Sequence, residues 1–420
     1  MNSESIIEKK ENKKELTNEE LSYVFNGYLN NKVNDEVMTR LLKAICKNGL
    51  NENEINLLTD IFIKSGDVLN LDDLGICVDK HSTGGVGDKT TLIIAPIIAS
   101  CGVKIAKMSG RALGYTGGTI DKLESIKGFN VNLDEEDFFN QVKEINIALM
   151  SQTKNICPMD KKVYALRDIT NTVESLGLIA VSIMSKKIAS GAKIILIDIK
   201  VGKGALIKNK KDAKKLAKIM INIGNKYNRI VRCLITEMDN PLGDNIGNSL
   251  EVLEAIDILK NKKHNNLYDL CIDISAHLIS MAKNISFALA KAGAVNSIKN
   301  NNAYNKFLDL VKYQKGDLST VTLGKGKIVL ATKKGYVKNI DSLSLGTASM
   351  ALGAGRLSLN DKIDYKAGIV INKNIGSFVN VGDSLCTIYG DKKIDEKVLI
   401  DAFKLSKLKT KNKDKIIDII

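Results

Sequence analysis

A run of small, hydroxylated and charged residues follows the first strand-like segment of the chain. It reads VDKHSTGGVGDKTT over residues 78–91, with three glycines between Lys80 and the hydroxyls of Thr90 and Thr91. Glycines let a backbone turn tightly enough for its N–H groups to face an anion, and the start of a following helix adds partial positive charge. The run therefore predicts a phosphate-binding loop. It is not a Walker A motif, because the Gly-Lys-Ser/Thr ending is missing.

A second loop of the same character follows the next strand-like segment. Residues 107–124 read KMSGRALGYTGGTIDKLE, again a strand leading into glycines and hydroxyls. Ligands of open α/β sheets bind in the crevice at the carboxyl ends of the strands. Two such loops after neighbouring strands are expected to enclose one phosphate from two sides.

A third cluster lies in a stretch that is helical in pattern. Tyr164 and Arg167 are three residues apart, and Ser182 and Lys186 are four apart, so each pair shares a helix face. Cationic donors beside a hydroxyl suit a planar ring that carries carbonyl oxygens. Spacing alone favours the more ordinary interpretation, in which these are solvated helix faces.

The elements that must position these residues show two periodicities. The first sixty residues predict helices: a TNEE capping box opens one at Thr17, Asn34 caps a second that stops at Gly49, and a third runs over 52–64. From about residue 75, short apolar runs alternate with helical stretches, which predicts a mostly parallel sheet covered by helices. Residues 159–190 are helical throughout, so this insert is expected to pack with the N-terminal helices.

The tail changes character again from about residue 326, where glycines separate short alternating strands. The predicted fold class is α/β: a small all-helical domain, a large α/β domain with a mostly parallel sheet, and a C-terminal β-rich (α+β) part. The predicted boundaries are 1–65 with the insert 159–192 for the helical domain, 66–158 with 193–325 for the phosphate-binding domain, and 326–415 for the C-terminal domain.

Composition excludes several classes of protein. No run of about 18 apolar residues predicts a membrane span, and the polar start lacks the apolar segment of a secretory signal, so a cytoplasmic location is expected. The seven cysteines are scattered without a C-x-x-C pair, which argues against a zinc site. The net charge of +14 permits nucleic-acid binding, but acids are mixed in along the chain and basic-aromatic interleaving is absent. We therefore expect no nucleic-acid or membrane partner and no organic cofactor.

Together these motifs resemble one family. The run SGRALGYTGGTIDKLE at 109–124 resembles the signature of the thymidine/pyrimidine-nucleoside phosphorylases, and KHSTGGVGD, YALRD, SIMSKKIASGA, DNPLGDNIGNSLEV and GTASMALGAGR match the family in the same order. The resemblance covers nearly the whole chain. It implies a homodimeric pentosyltransferase that exchanges the base of thymidine, deoxyuridine or uridine for inorganic phosphate and releases (2-deoxy)ribose 1-phosphate.

The resemblance also implies roles for individual residues. Phosphate is expected among Lys80, Ser82, Thr91, Lys107, Ser109 and Thr119. The base is expected at Arg167, Ser182 and Lys186, with His81, Leu113 and Tyr164 nearby. Because phosphate is itself the nucleophile, the expected catalytic groups are those that stabilise the leaving pyrimidine. Arg167 and Lys186 are expected to stabilise its negative charge, and His81 to donate a proton or hydrogen bond to its O2.

Several positions depart from the family pattern. Tyr115 stands where a histidine is common, and Val201 and Leu206 replace a threonine and a phenylalanine, so base preference is open. Lys89 stands where some relatives place a threonine hydroxyl on a potassium ion. The remaining potassium ligands implied by the resemblance are Gly87, Leu242, Asn245 and Glu254. Either potassium binds there, or the ammonium of Lys89 fills the cation position.

Two other functions stay open at this point. A phosphoribosyltransferase of the anthranilate type has a related fold and a glycine-rich phosphate loop, but it handles pyrophosphate with magnesium and needs acidic metal ligands near the loops. A binding protein without activity is the other possibility, against which the presence of Lys80, His81, Arg167 and Lys186 argues.

Overall fold

A computed structural model describes residues 1–111, 114–115, 117–356, 361–411 and 414–420. The helices are α1 Ser3–Glu11, α2 Asn18–Leu29, α3 Asp35–Asn48, α4 Glu52–Lys64, α5 Thr90–Ser100, α6 Thr119–Glu124, α7 Glu135–Ile145, α8 Pro158–Ile169, α9 Leu176–Ala189, α10 Lys210–Lys226, α11 Asn248–Leu259, α12 Asn266–Lys283, α13 Phe287–Lys299, α14 Asn302–Tyr313, α15 Ser342–Ser349 and α16 Glu396–Ala402. The strands are β1 Cys77–Ser82, β2 Lys104–Ser109, β3 Ile147–Ser151, β4 Ile194–Val201, β5 Ile230–Glu237, β6 Asn245–Ile246, β7 Lys327–Leu330, β8 Gly335–Ile340, β9 Gly368–Ile371, β10 Phe378–Val379, β11 Ser384–Tyr389, β12 Phe403–Ser406 and β13 Ile416–Ile419.

Local capping explains where the N-terminal helices begin. Thr17 and Glu20 form a reciprocal capping box at the start of α2, which satisfies two backbone N–H groups that the helix leaves unpaired. Asn34 caps α3, and Gly49 ends it with a φ of 76°, a conformation that glycine adopts without strain. The three helices predicted in this region are therefore confirmed, with the third, α4, at its predicted bounds.

The helical insert is two helices, α8 and α9, and both pack on the N-terminal helices. α9 lies along α4, and α8 contacts α2 and α3. One apolar cluster joins these helices, α10 and one face of the large sheet. The expected packing of the insert is confirmed, although the domain boundaries themselves stay predictions.

The large sheet has the order β13-β5-β4-β1-β2-β3. β1 to β5 are parallel, and the edge strand β13 runs antiparallel to β5. From β1 the chain adds β2 and β3 on one side and later β4 and β5 on the other, so β1 lies at the switch point of the topology. Ligand crevices of open α/β sheets form at such points.

The two faces of this sheet are covered by different helices. β4 is buried along its whole length, as expected for a central parallel strand. One face joins the cluster of the N-terminal helices, and the other packs against α5, α11, α12, α13 and α14. No helix of the described residues is long and apolar enough to cross a membrane.

The C-terminal part is built from two small sheets with the orders β10-β8-β12 and β6-β9-β11-β7. Its β-rich character was predicted, whereas α15 and α16 were not. The strand β6 belongs in sequence to the α/β domain but pairs with β9, so the C-terminal sheet is hydrogen-bonded directly to the loop that precedes α11.

Candidate functional site

The two glycine-rich loops lie at the carboxyl ends of adjacent strands. β1 and β2 pair directly, with Cys77 opposite Lys104 and Val78 opposite Ile105. The first loop is also fastened to β4: the Thr83 N–H donates to the carbonyl of Asp198 (3.0 Å), and the Lys200 N–H donates to Thr83 Oγ1 (2.9 Å). The prediction that these loops follow neighbouring strands is therefore confirmed.

Beneath the first loop lies a buried network of charges. Lys80 Nζ donates to Thr90 Oγ1 (2.7 Å) and lies 3.4 Å from an Asp198 oxygen and 3.8 Å from an Asp88 oxygen. Asp198 also pairs with Lys200 at 2.6 Å and accepts from Thr236 Oγ1. Although burial opposes its charge, Asp88 and Asp198 raise the pKa of Lys80. Lys80 is therefore a permanent cation under the loop.

A second buried network lies under the other loop. Asp79 pairs through one oxygen with Lys107 (3.4 Å) and through the other with Lys187 (2.7 Å), and all three side chains are almost fully buried. Lys107 also donates to the carbonyl of Lys80. Burial lowers the pKa of Lys107 to about 7, and the charges of Lys187 and Lys80 add to this effect although Asp79 opposes it. Lys107 is therefore close to its titration point at neutral pH.

The remaining residues predicted to bind phosphate lie around the same edge. Ser82 ends β1 and accepts from the Gly84 N–H (3.2 Å), while Ser109 ends β2. Thr91 lies in the first turn of α5, and Thr119 is the first residue of α6. These four residues therefore lie at strand ends or in the first turns of helices, where backbone N–H groups and the helix dipole favour an anion, whereas Lys80 and Lys107 lie inside β1 and β2.

The predicted base-binding residues come together on α8 and α9. Lys186 Nζ forms an ion pair with Asp160 and donates to Ser182 Oγ at 3.1 Å. Its ammonium lies 5.9 Å from the centre of the Tyr164 ring, as does the guanidinium carbon of Arg167. Leu113, the other residue predicted near the base, lies outside the described residues.

Arg167 is oriented differently from the other predicted base ligands. It is buried, and it donates to the carbonyls of Thr172 (3.2 Å), Val173 (3.0 Å) and Leu178 (3.2 Å). These three bonds hold the turn between α8 and α9. In this arrangement Arg167 positions the helix that carries Ser182 and Lys186.

His81, near the end of β1, interacts electrostatically with lysines of both groups of residues. Burial lowers its pKa well below the ordinary value, and the positive charges of Lys187, Lys107, Lys186 and Lys80 lower it further. The imidazole is therefore neutral at neutral pH. A neutral imidazole still has one N–H to donate, so His81 is suited to a hydrogen bond rather than to giving up a proton as a cation.

Sequence analysis missed several charged residues of the site. Asp79, Asp198 and Lys200 lie within buried strands, and Lys187 lies on α9. Charged residues are rarely buried unless they are paired. Charged residues inside these apolar strands therefore indicated buried ion pairs, and this signal was available in the sequence. Asp160 was also missed, although it lies four residues before Tyr164 on the same helix face.

The departures from the family pattern fall in two places. Val201 ends β4 and belongs to the apolar cluster that contains Ile183 and Met184 of α9, and the partly buried Leu206 packs against the same cluster. The partly buried Tyr115 packs on the other cluster, and its carbonyl lies close to Gly346. Val201 and Leu206 therefore share a cluster with the helix that carries Ser182 and Lys186.

The residues predicted to bind potassium do come together. Lys89 Nζ lies 2.8 Å from the carbonyls of Leu242 and Asn245 and 2.7 Å from Glu254 Oε2. The Cα of Gly87 packs against the same Leu242 carbonyl, since a Cβ there would come within 2.5 Å of its oxygen. The ammonium of Lys89 thus holds the oxygens that a metal ion would need. The described residues contain no group of three or more His, Cys, Asp or Glu side chains arranged for a metal.

Comparison with known proteins agrees with this architecture. The glycosyl transferase family models match residues 4–66 (helical bundle domain) and 74–304 (a/b domain). The fold resembles anthranilate phosphoribosyltransferase from Thermus thermophilus, with a TM-score of 0.58 and 16% identity over 74% of this chain and 99% of that one. The chain is thus a member of this glycosyl transferase family, and at that identity the structural likeness shows the fold alone.

Closer relatives define the family more narrowly. The model of the pyrimidine nucleoside phosphorylase C-terminal domain matches residues 336–407. Pyrimidine-nucleoside phosphorylase from Staphylococcus haemolyticus is 44% identical, covering 94% of this chain and 96% of that protein. The enzyme of the same name from Geobacillus stearothermophilus is 45% identical, covering 92% of each. The chain belongs to the pyrimidine-nucleoside phosphorylase family.

The Asp79 pair predicts a pH-dependent stability. Asp79→Asn leaves Lys107 and Lys187 buried without a carboxylate, which is expected to cost about 3–5 kcal/mol of unfolding free energy. The native pKa of Lys107 lies below its value of 10.5 in the unfolded chain, so its charge opposes folding and that opposition disappears as pH rises. Because Asp79 raises the pKa of Lys107, its removal lowers that pKa further, so the deficit in the thermal midpoint should be largest near pH 6, where Lys107 is charged in the parent, and narrow toward about pH 9.

Scanning calorimetry of the two proteins across this range measures the deficit. Asp73→Asn, an exposed carboxylate beside β1, is the matched control and should leave the midpoint unchanged. A deficit that stays constant with pH would show that the loss does not come from unpaired lysine charge.

Proposed function

We propose that this protein is a pyrimidine-nucleoside phosphorylase that converts thymidine, deoxyuridine or uridine and inorganic phosphate into the free base and (2-deoxy)ribose 1-phosphate. The observation that carries the proposal is the arrangement of two donor clusters around His81. The cluster of Lys107 suits an anion, and the cluster of Lys186 and Ser182 suits a ring with carbonyl oxygens. Membership of the phosphorylase family supports the assignment.

The phosphate side supplies the nucleophile. A phosphate oxygen forms the new bond to the anomeric carbon as the glycosidic C–N bond breaks, and the electron pair of that bond passes to the pyrimidine. No enzyme nucleophile is needed. The expected contribution of the loops is to hold phosphate in line with the anomeric carbon, and such positioning contributes a large share of the rate of two-substrate reactions.

The base side stabilises the leaving group. Negative charge develops on the ring and its carbonyl oxygens as the C–N bond breaks, and Lys186 with Ser182 presents donors where that charge appears. The neutral His81 is expected to donate a hydrogen bond to O2. Arg167 is the third residue that we propose to be catalytic. In the arrangement described, its guanidinium bonds to the turn between α8 and α9, so it acts on the base indirectly, by positioning α9.

The proposal includes the assembly and location implied by the family resemblance, a homodimer in the cytoplasm. Lys10 and Glu54 pair at 2.7 Å inside the N-terminal helical unit, so this unit has a defined interior of its own. Sedimentation equilibrium of the purified protein measures the assembly directly, and a mass of one chain would refute the dimer.

The function is tested by phosphate-dependent release of free base. Thymidine, deoxyuridine and uridine are each incubated with the protein, with and without phosphate, and the products are separated by chromatography. Release that requires phosphate is expected, and the relative rates define the base and sugar preference. No release from any of the three refutes the proposal, and product from anthranilate, phosphoribosyl pyrophosphate and magnesium would favour the phosphoribosyltransferase instead.

Lys186 gives a sharper test of the base site. Lys186→Gln keeps a hydrogen-bonding group but removes the positive charge, so kcat/KM is expected to fall by about a hundredfold or more. Lys161→Gln removes a charge from the exposed side of α8 and should leave the rate unchanged. If both variants retain full activity, the charge of Lys186 does not stabilise the leaving base.

The pKa of Lys107 predicts how anion binding depends on pH. Lys107 is protonated below about pH 7 and loses its charge above it, so the affinity for an anion should fall as pH rises. Sulfate keeps its charge over this range and isolates the effect from the titration of phosphate itself. Its inhibition constant against phosphate is expected to rise by up to about tenfold per pH unit above pH 7.

Lys107→Arg provides the control for this pH dependence, because a guanidinium does not lose its proton in this range. A flat sulfate inhibition profile is expected for that variant. If the sulfate inhibition constant rises equally steeply with pH in both proteins, a group other than Lys107 is responsible for the pH dependence.

A further inference from the structure

Lys89 is a fully buried lysine at the end of the first glycine-rich loop. Its side chain and that of Glu254 are both 0% exposed. An ammonium has three N–H donors, and Lys89 directs them to the carbonyls of Leu242 and Asn245 at 2.8 Å and to Glu254 at 2.7 Å. These lengths are those of charge-assisted hydrogen bonds, so the buried charge is fully partnered.

The oxygens around Lys89 are themselves held in place. Glu254 accepts from the N–H groups of Asp244 (2.8 Å) and Asn245 (2.9 Å) and pairs with Lys263 at 2.8 Å. The groups that contact this carboxylate are therefore donors, two of them ammonium groups, so the geometry of the cage calls for a cation at its centre.

The cage joins the first loop to two other parts of the molecule. Lys89 directly precedes Thr90, which binds Lys80, and the Lys89 N–H donates to the carbonyl of Gly87 at 2.9 Å. On the other side, the carbonyl of Asp244 accepts from the Ile371 N–H of the C-terminal sheet at 2.7 Å, and β6 pairs with β9. A cation at this point therefore fixes the loop relative to both α11 and the C-terminal sheet.

The residues here do not fit a potassium ion. A metal ion that used the oxygens of Leu242, Asn245 and Glu254 would lie at the position of the Lys89 ammonium. Two cations in one buried cage would repel each other strongly, since the low dielectric of an interior screens charge poorly. The presence of Lys89 therefore excludes the metal that the family resemblance implies at this place.

We propose that the Lys89 ammonium is a built-in cation that takes the place of potassium and makes the loop independent of monovalent metal ions. The activity part of this inference rests on the proposed function, whereas ion binding and stability do not. Lys89 acts as a positioning residue: it touches no substrate and holds the loop that carries Thr90 and Thr91.

The first test uses the unaltered protein after dialysis against tetramethylammonium chloride, a cation too large for the cage. Equilibrium dialysis with rubidium-86 as the potassium probe is expected to show no bound ion. The thermal midpoint and the rate of phosphorolysis are expected to be equal in tetramethylammonium, sodium and potassium chloride at one ionic strength. One bound ion per chain, or a potassium-specific gain in either quantity, would overturn the proposal.

The second test creates the requirement for an ion. Lys89→Thr removes the ammonium and leaves a hydroxyl facing the same three oxygens, so Glu254 is left with an open cage. In tetramethylammonium the thermal midpoint of this variant should fall by several degrees and kcat/KM for phosphate by at least about tenfold. Potassium should restore most of both losses, and sodium less, because the cage is shaped for a cation of ammonium size.

Lys262→Thr, which removes an exposed lysine near the end of α11, should show no ion dependence. A Lys89→Thr protein that is as stable and active as the parent in all three salts would refute the role of Lys89. If that variant fails to fold in tetramethylammonium, its recovery of structure on potassium addition, followed by circular dichroism, gives the same answer.

Absence of phosphorolysis by the unaltered protein would refute the proposed function and leave the dialysis and stability results to decide the role of Lys89.

Discussion

Excess positive charge buried beneath the two glycine-rich loops is the constraint on which the rest of this structure depends. Four lysines, Lys80, Lys107, Lys187 and Lys200, face three aspartates, Asp79, Asp88 and Asp198, which leaves one more cation than carboxylates. Burial lowers the pKa of Lys107, and the positive charges of Lys187 and Lys80 lower it further. In the proposed function, an anion bound here would offset the surplus positive charge, so the binding of anion and proton would be coupled.

The parallel sheet makes this crowding of charge possible. Asp79, Lys80, Asp198 and Lys200 lie on the adjacent strands β1 and β4, where the register places Lys80 opposite Leu196 and Ser82 opposite Asp198. Each strand is held by backbone hydrogen bonds and apolar packing on both faces, and that packing offsets the cost of dehydrating the charged groups near its end. The glycine loops then need to supply only backbone N–H groups and turns.

Sequence analysis recovered the parts of the molecule that local chemistry determines. The capping box at Thr17 and the two glycine loops are short-range patterns, and they follow the elements predicted for them. The strand β13 was missed because its four residues are too short to predict and pair with β5, a strand far away along the chain. The bonds of Arg167 were also beyond sequence reasoning, because the family resemblance assigns a residue to a site but does not say which atoms its side chain meets.

Arg167 and Lys186 are held in different ways, and this difference gives them different parts in the proposed base site. Among the described residues, Lys186 donates to Asp160 and to Ser182, so the third N–H of its ammonium is the one that the proposed function assigns to the substrate. Asp160 keeps that ammonium in place without using all of its donors. Arg167 donates three times to the turn that carries α9 and is buried, so it fixes the position from which Lys186 points. Under the proposed function, Lys186 stabilises a charge that appears only as the C–N bond breaks, and its orientation is set before the substrate arrives.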